Sequence, residues 1–437
     1  MSDVIIIGGG PAGSTLGCYL SMAGISNTII EKANHPRPHV GESMVPVTTR
    51  VFREIGFLET MEREGFPKKY GASWHAPKNR GSMYILFSEF PNDLTNQDYT
   101  YHVDRGRMDN LLLKRAEELG STVYQGLTVK QVLLENGYAS GVRVAVGNHE
   151  VDLHSKIVVD ASGRNTLLGR QLKLKVKDPI FNQYAVHAWF DGVNRGDDPD
   201  TADHIHIYFL PIERGWVWQI PITDTTTSMG VVLEKEAFTK VARGDTEEFF
   251  SQQMQTNDNL ALAMADARRI NDFKTEGDYS YKMSKFVGDG YLLVGDAARF
   301  VDPIFSSGVS VAMHGAKNAA QQIQIALEKN DFSEATFKPF EEKMKAGVEV
   351  WYEFIRLYYK LLPMFTLFMQ SKQYRQQVHA LLQGEVYDRR EVPVLEAMRK
   401  FIDAVENTDN HVFKHHLTDI PIDAQVEEQF KAMTAAD

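Results

Sequence analysis

The chain has 437 residues, room for about three domains at ~150 residues each and for a large buried core. Lys plus Arg number 47 against 58 Asp plus Glu, a formal net charge of −11, which argues against nucleic acid or an anionic membrane as the main partner. A single cysteine, Cys18, allows neither an internal disulfide nor a thiolate metal cluster, so no metal is expected and the chain reads as cytoplasmic.

Val4-Ile5-Ile6-Ile7 predicts a strand covered on both faces. It is too short for a signal sequence and stops at Gly8. Gly8-Gly9-Gly10-Pro11-Ala12-Gly13 follows, then a helix over 14–23 and a second strand, Thr28-Ile29-Ile30, ending in Glu31. Glycines in this spacing between strand and helix form a dinucleotide-binding loop. Gly8 permits the tight turn, Gly10 admits a pyrophosphate to the backbone, and Gly13 lets helix and strand pack closely. The phosphates rest near Ala12 at the helix N-terminus, where free N–H groups favour negative charge. Glu31 is placed to accept hydrogen bonds from an adenosine ribose.

Related pieces recur at 156–160, before Ala161-Ser162-Gly163, and at 291–294, before Gly295-Asp296. One nucleotide-binding domain assembled from separated segments is expected. The intervening segments 181–190, 204–210, 216–222 and 227–233 are short and rich in β-branched and aromatic residues, which predicts an inserted antiparallel sheet. Segments 82–87 and 99–103 look similar. From about residue 332 the pattern turns helical, clearest over 351–361 and 395–405. The stretch 351–369 contains Glu353, Arg356, Lys360 and Pro363, so it predicts a buried or cleft-lining helix and not a membrane span. There Trp351, Phe354, Ile355, Tyr358 and Tyr359 share one face.

Gly295-Asp296-Ala297-Ala298, leading through Pro303 and Ser306-Ser307-Gly308 into a helix, resembles the FAD-dependent aromatic hydroxylases and their relatives. Asp160-Ala161-Ser162-Gly163-Arg164 resembles the same group, with Ala161 where glycine is common. The resemblance implies FAD, held by Arg105, Asp296, Pro303 and Gly308 in addition to the first loop. The expected fold is α/β, a Rossmann-like parallel sheet of the aromatic hydroxylase type with an inserted antiparallel sheet and a helical C-terminal region. The expected boundaries are 1–335 for a discontinuous FAD-binding domain, with sheet insertions at about 70–103 and 175–275, and 336–437 for the helical region.

Three further motifs narrow the chemistry. In Trp216-Val217-Trp218-Gln219-Ile220-Pro221 the strand alternation puts both indoles and Ile220 on one face. By itself this suits a core face, but the whole segment resembles the W-x-W-x-I-P signature of flavin-dependent halogenases. Phe66-Pro67-Lys68-Lys69-Tyr70-Gly71 fits that family's F-x-x-K-x-G pattern and assigns Lys69 as the active lysine, although a Lys-Lys pair is ordinarily a solvated surface. Phe300 to Gly308 fits F-x-x-P-x-x-S-x-G. Similarity extends over 66–74, 102–106, 160–169, 178–184, 216–223, 295–311 and 351–355 to the halogenases of carrier-bound pyrrole of pyoluteorin type.

That resemblance implies FADH2 supplied by a separate flavin reductase, O2, and chloride or bromide. Hypohalous acid is then relayed by Lys69 to a pyrrole tethered as a thioester to a peptidyl carrier protein. Trp216, Trp218, Phe305 and Trp351 would wall the substrate tunnel, and Ser307 and Gly308 would hold the halide at a helix N-terminus. Phe305 stands where tryptophan halogenases place a glutamate, which suits an electron-rich ring. His102, Glu353 or water remain open as acceptor of the ring proton. Arg389-Arg390 or Arg399-Lys400 are candidates for carrier docking. A single-component aromatic hydroxylase, a protein that only binds FAD, and a halogenase of phenols are the alternatives; the choice of halide and the oligomeric state, a homodimer being one option, stay open.

Overall fold

The computed structural model describes residues 2–77, 81–90, 97–196, 198–212, 214–242, 245–277, 280–387 and 392–422. Among them, a six-stranded sheet runs in the order Val287–Gly288, Tyr291–Leu293, Ile157–Asp160, Val4–Ile7, Asn27–Glu31, Thr122–Gln125. All neighbours are parallel except the first pair. The three strand-then-glycine segments are therefore adjacent strands, with Val4 opposite Ile157 and Ile7 opposite Asp160. The helices Pro11–Met22, Arg105–Leu119 and Gly308–Lys329 pack on one another beside this sheet. Burial of both faces is why Val4–Ile7 reads as an unbroken apolar run.

An eight-stranded sheet forms the second layer, its main path running Arg268–Arg269, Gln183–Asp191, Thr226–Glu234, Trp216–Pro221, Ile205–Phe209, Gly71–His75, Ser82–Leu86. Its two faces serve different clusters. Trp216, Trp218 and Ile220 join the apolar mass shared with the C-terminal helices, while Val217 and Met229 face a smaller cluster under the helix Thr246–Met254. The pairing differs from expectation at 99–103. Thr100–Tyr101 leaves this sheet and pairs with Lys68–Lys69 in a separate two-stranded ribbon, which also meets the chain at Ser43 opposite His102.

A three-stranded antiparallel sheet of Thr128–Glu135, Tyr138–Val146 and His149–His154 is absent from the sequence expectation. Its outer residues are largely exposed, so it offers no long apolar run. The turn Asn136-Gly137, with φ of +52° and +88°, carries a hairpin signal of its own.

The helix Glu334–Leu361 spans 28 residues and contains the expected 351–361 segment as its last part. Trp351, Phe354, Ile355, Tyr358 and Tyr359 are all fully buried. The helix Pro393–Asn407 covers the 395–405 prediction. No helix among the described residues is long and apolar enough to cross a membrane. Arg389 and Arg390 lie outside the described residues.

Candidate active site

A cavity of about 690 Å³ opens between the loops of the parallel sheet and the inner face of the eight-stranded sheet. Gly8, Gly10, Ala12, Glu31, Arg105, Asp296, Pro303, Ser307, Gly308, Trp216 and Trp218 all line it. Sequence-distant motifs thus converge on one space. Gly8 sits at φ +107°, and a Cβ there would lie 2.5 Å from the Ala161 carbonyl oxygen. Gly13 stands behind this loop. A Cβ on it would fall 1.9 Å from the Gly8 carbonyl oxygen, so glycine is required for helix and turn to meet.

The polar groups along the cavity are fixed by local bonds. The Glu31 carboxylate accepts from Gly9 N–H at 2.7 Å and Ala33 N–H at 2.8 Å. Arg105 donates to both oxygens of Asp109 at 2.8 and 2.9 Å, and its remaining terminal nitrogen donates to the Val40 and Gly41 carbonyls. Burial raises the Asp296 carboxyl to about 6 against the pull of Arg105 and Arg164. Asp160 has a different job, because its carboxylate accepts from Ser162 and Leu168 N–H and pins its own turn. A long cavity with a side-chain-free loop at a helix N-terminus, a carboxylate at the second strand end and a buried Asp296 further along fits a flavin dinucleotide.

Lys69 is 3 % exposed and lies beside this cavity, behind Ser43. Its Nζ donates to Ser43 Oγ at 3.0 Å and to the Met44 carbonyl at 2.9 Å. No carboxylate pairs with it among the described residues, and burial alone lowers the amine to about 7. Lys68 behaves oppositely. It lies over the Tyr99 ring and pairs with Glu62 at 3.1 Å on the surface. Strand alternation accounts for this split.

Each indole N–H is held by a hydroxyl. Trp216 Nε1–H donates to Tyr359 Oη at 3.0 Å, and Tyr359 O–H donates to Asp302 at 3.1 Å. Trp218 Nε1–H donates to Ser228 Oγ at 3.1 Å. The rings stand 6.1 Å apart. Opposite Trp218 is Gly230, where a Cβ would come within 2.2 Å of the indole.

Phe305 and Trp351 are outside the cavity lining. Phe305 stacks on Phe354 at 4.7 Å and meets Tyr358 at 4.8 Å and Trp351 at 6.3 Å, in the aromatic cluster behind the indoles. His102 is fully buried; its Nε2 donates to the Asp203 carbonyl at 3.0 Å, leaving Nδ1 as an acceptor without a partner. Glu353 is turned to Arg399 at 2.8 Å, away from the cavity. Lys400 pairs with Glu396. Ser43, Glu42, Ser228, Tyr359 and Asp302 are site residues that sequence reasoning misses. Gly41-Glu42-Ser43, a polar triplet between Val40 and Met44, is the one local signal for two of them.

Residues 1–337 match the FAD binding domain family. The chain is 45% identical over 437 aligned residues to a 1H-pyrrole-2-carbonyl-[peptidyl-carrier protein] chlorinase of Pseudomonas fluorescens, covering 96% of this chain and 97% of that one. It is 34% identical to the corresponding brominase of Pseudoalteromonas luteoviolacea, covering 88% and 92%. Among solved structures, the flavin-dependent brominase Bmp2 superposes with a TM-score of 0.85 at 31% identity, covering 93% of this chain and 99% of that one. With these likenesses running over nearly the whole length, and with the glycine loop, Lys69 and the indole pair gathered about one cavity, the chain belongs to the flavin-dependent halogenases.

Proposed function

We propose that this enzyme chlorinates or brominates a pyrrole ring carried as a thioester on a peptidyl carrier protein, taking FADH2 from a separate reductase. The observation that carries this reading is the 45% identity, end to end, to a chlorinase of that substrate. Reduced flavin, when bound, supplies with O2 the oxidising equivalents that turn halide into hypohalous acid. Gly8, Gly10, Ala12 and Glu31 hold its dinucleotide end, while Arg105, Asp296, Pro303 and Gly308 hold the ring end. The N–H groups of Ser307 and Gly308, at the start of the helix Gly308–Lys329, stabilise the halide.

Trp216 and Trp218 stand between that cavity and the aromatic cluster, and deny the ring a direct approach to the oxidant. Lys69 takes the hypohalous acid, either by hydrogen bond or as a haloamine, in which the O–halogen bond and one N–H bond break and water leaves. As a neutral amine it has two N–H groups engaged by Ser43 and Met44, so its lone pair is the remaining valence. The electron-rich ring then undergoes electrophilic substitution. The test is mass spectrometry of pyrrolyl-carrier protein incubated with enzyme, flavin reductase, NADH and chloride or bromide. A mass gain of one or more halogens is expected; an unchanged carrier with either halide sinks the substrate assignment.

A further inference from the structure

Hypohalous acid has to cross the cavity before Lys69 can capture it. Pro303, Ser307 and Gly308, at the ring end of the flavin site, line that cavity together with Trp216 and Trp218. Lys69 does not line it. The amine stands behind Ser43, tied to Ser43 Oγ at 3.0 Å and to the Met44 carbonyl at 2.9 Å. Acid released beside Ser307 is therefore in contact with an indole wall while the lysine is still one side chain away, and proximity makes the two compete for it.

The rest of the wall is poor in permanent targets. The chain has 16 methionines, 17 tyrosines and one cysteine, the thioether, phenol and thiol groups that hypohalous acid attacks. None of them lines the cavity among the described residues. Cys18 and Met44 are fully buried in the core beside the parallel sheet. The wall does carry nitrogen nucleophiles, at Lys32, Lys175, His39 and its arginines, but their N-halo products revert in a thiol reductant. Oxygen added to an indole carbon stays.

The two indoles are not equivalent. Trp216 is 2 % exposed, and its N–H points to Tyr359 in the aromatic cluster. Trp218 is 5 % exposed and rests its six-membered ring closely on Gly230. We propose that Trp218 is the side chain modified by hypohalous acid that Lys69 fails to capture, and that its conversion to a 2-oxindole inactivates the enzyme. The O–halogen bond breaks and a C–O bond forms at indole C2. Of the O–H and C2–H hydrogens, one goes to C3 and one leaves as a proton, while the halogen leaves as halide. The ring loses two electrons and the halogen gains them. C3 becomes tetrahedral, so the ring can no longer lie as it does against Gly230, where a single added Cβ would already collide at 2.2 Å.

The inference rests on the hypohalous acid proposed above and not on the identity of the ring. The enzyme is turned over with chemically reduced FAD, O2, chloride or bromide, catalase and excess free methionine, without carrier protein, then treated with a thiol, digested and mapped by mass spectrometry. Catalase removes peroxide and free methionine removes escaped acid, so only oxidation inside the cavity registers. A gain of one oxygen at Trp218 is expected, in step with loss of halogenation activity and at least tenfold above a halide-free control. Met22, 52 % exposed, reports acid that leaves the cavity and should stay unoxidised. Lys69→Ala, or Lys69→Gln where the first variant melts early, should raise the Trp218 yield per flavin oxidised at least threefold. Four results would each overturn the role of Trp218 alone: an intact Trp218 in enzyme that halogenates pyrrolyl-carrier protein, oxidation at Trp216 or Met22 in its place, the same yield without halide, or an unchanged yield in the lysine variant. Failure of the wild type both to halogenate that carrier and to modify any of its own side chains would sink the halide chemistry and this inference together.

Discussion

At the scale of single residues, the contrast between Lys68 and Lys69 carries the proposed chemistry. Both are lysines in one short strand, yet one is solvated beside Glu62 and the other is sealed against Ser43 and Met44. With its amine lowered to about 7 by burial, Lys69 is mostly cationic below that pH and mostly neutral above it. If the neutral amine captures the hypohalous acid, transfer to substrate rises with pH through about 7. Lys69→Ala is expected to abolish halogenation while FAD affinity changes less than about twofold, as read by fluorescence titration. Retained halogenation would remove lysine from the mechanism. The motif F-x-x-K-x-G made Lys69 legible in the sequence. Ser43 and Glu42 were not, since their partners lie 26 and 147 residues away.

At the scale of elements, the strand Trp216–Pro221 is the informative one. Its alternation alone predicts that both indoles share a face, and they do. What presses that face into position is the neighbouring strand, where Gly230 leaves room for Trp218. Gly230→Ala must move the indole or the strand, a strain of ~1–3 kcal/mol. The expected result is loss of halogenation per flavin oxidised, with hydrogen peroxide appearing in its place; unchanged coupling would show that the indole position is unimportant.

The helix Glu334–Leu361 depends on a buried carboxylate. Glu341 accepts from Lys338, from Lys345 at 2.8 Å and from Phe286 N–H at 2.8 Å, tying the helix to the edge of the parallel sheet. Burial opposes ionisation, but these donors outweigh it and hold the carboxyl below its ordinary range. Its stabilisation is therefore present above about pH 4.5, the unfolded value, and is lost as pH falls below it. Glu341→Gln should cost about 2 kcal/mol at pH 7. The difference in melting temperature from wild type should shrink in acid, and a pH-independent difference would refute the charge argument. Neither Phe286 nor Lys338 marks Glu341 in the sequence as anything other than one more acidic residue on a helix surface.

At the scale of the whole molecule, the net charge of −11 would set how the proposed carrier-protein partner approaches. Carrier proteins are acidic, and the described candidates for a basic landing surface, Arg399 and Lys400, are each paired within the chain to Glu353 and Glu396. Mutual repulsion then dominates the encounter at low salt. The kcat/KM for carrier-bound substrate should rise as ionic strength is raised from about 0.01 to 0.15 M; a fall would reveal a basic docking patch that outweighs the net charge.

The sequence by itself determined the nucleotide loop and the sidedness of the tryptophan strand. These follow from local rules: glycine where a Cβ cannot fit, period two along a strand, a phosphate at a helix N-terminus. The flavin motifs and the choice of Lys69 came instead from resemblance to a family. The tertiary structure alone decided which residues serve those motifs. Ser43 meets Lys69, Glu42 meets Trp189, and Tyr359 meets Trp216, because two sheets and the C-terminal helices converge there. Phe305 and Trp351 were likewise legible as aromatic, yet only packing placed them behind the cavity instead of on its wall. Hydrogen bonds and packing act over a few ångströms in space, whatever the separation along the chain.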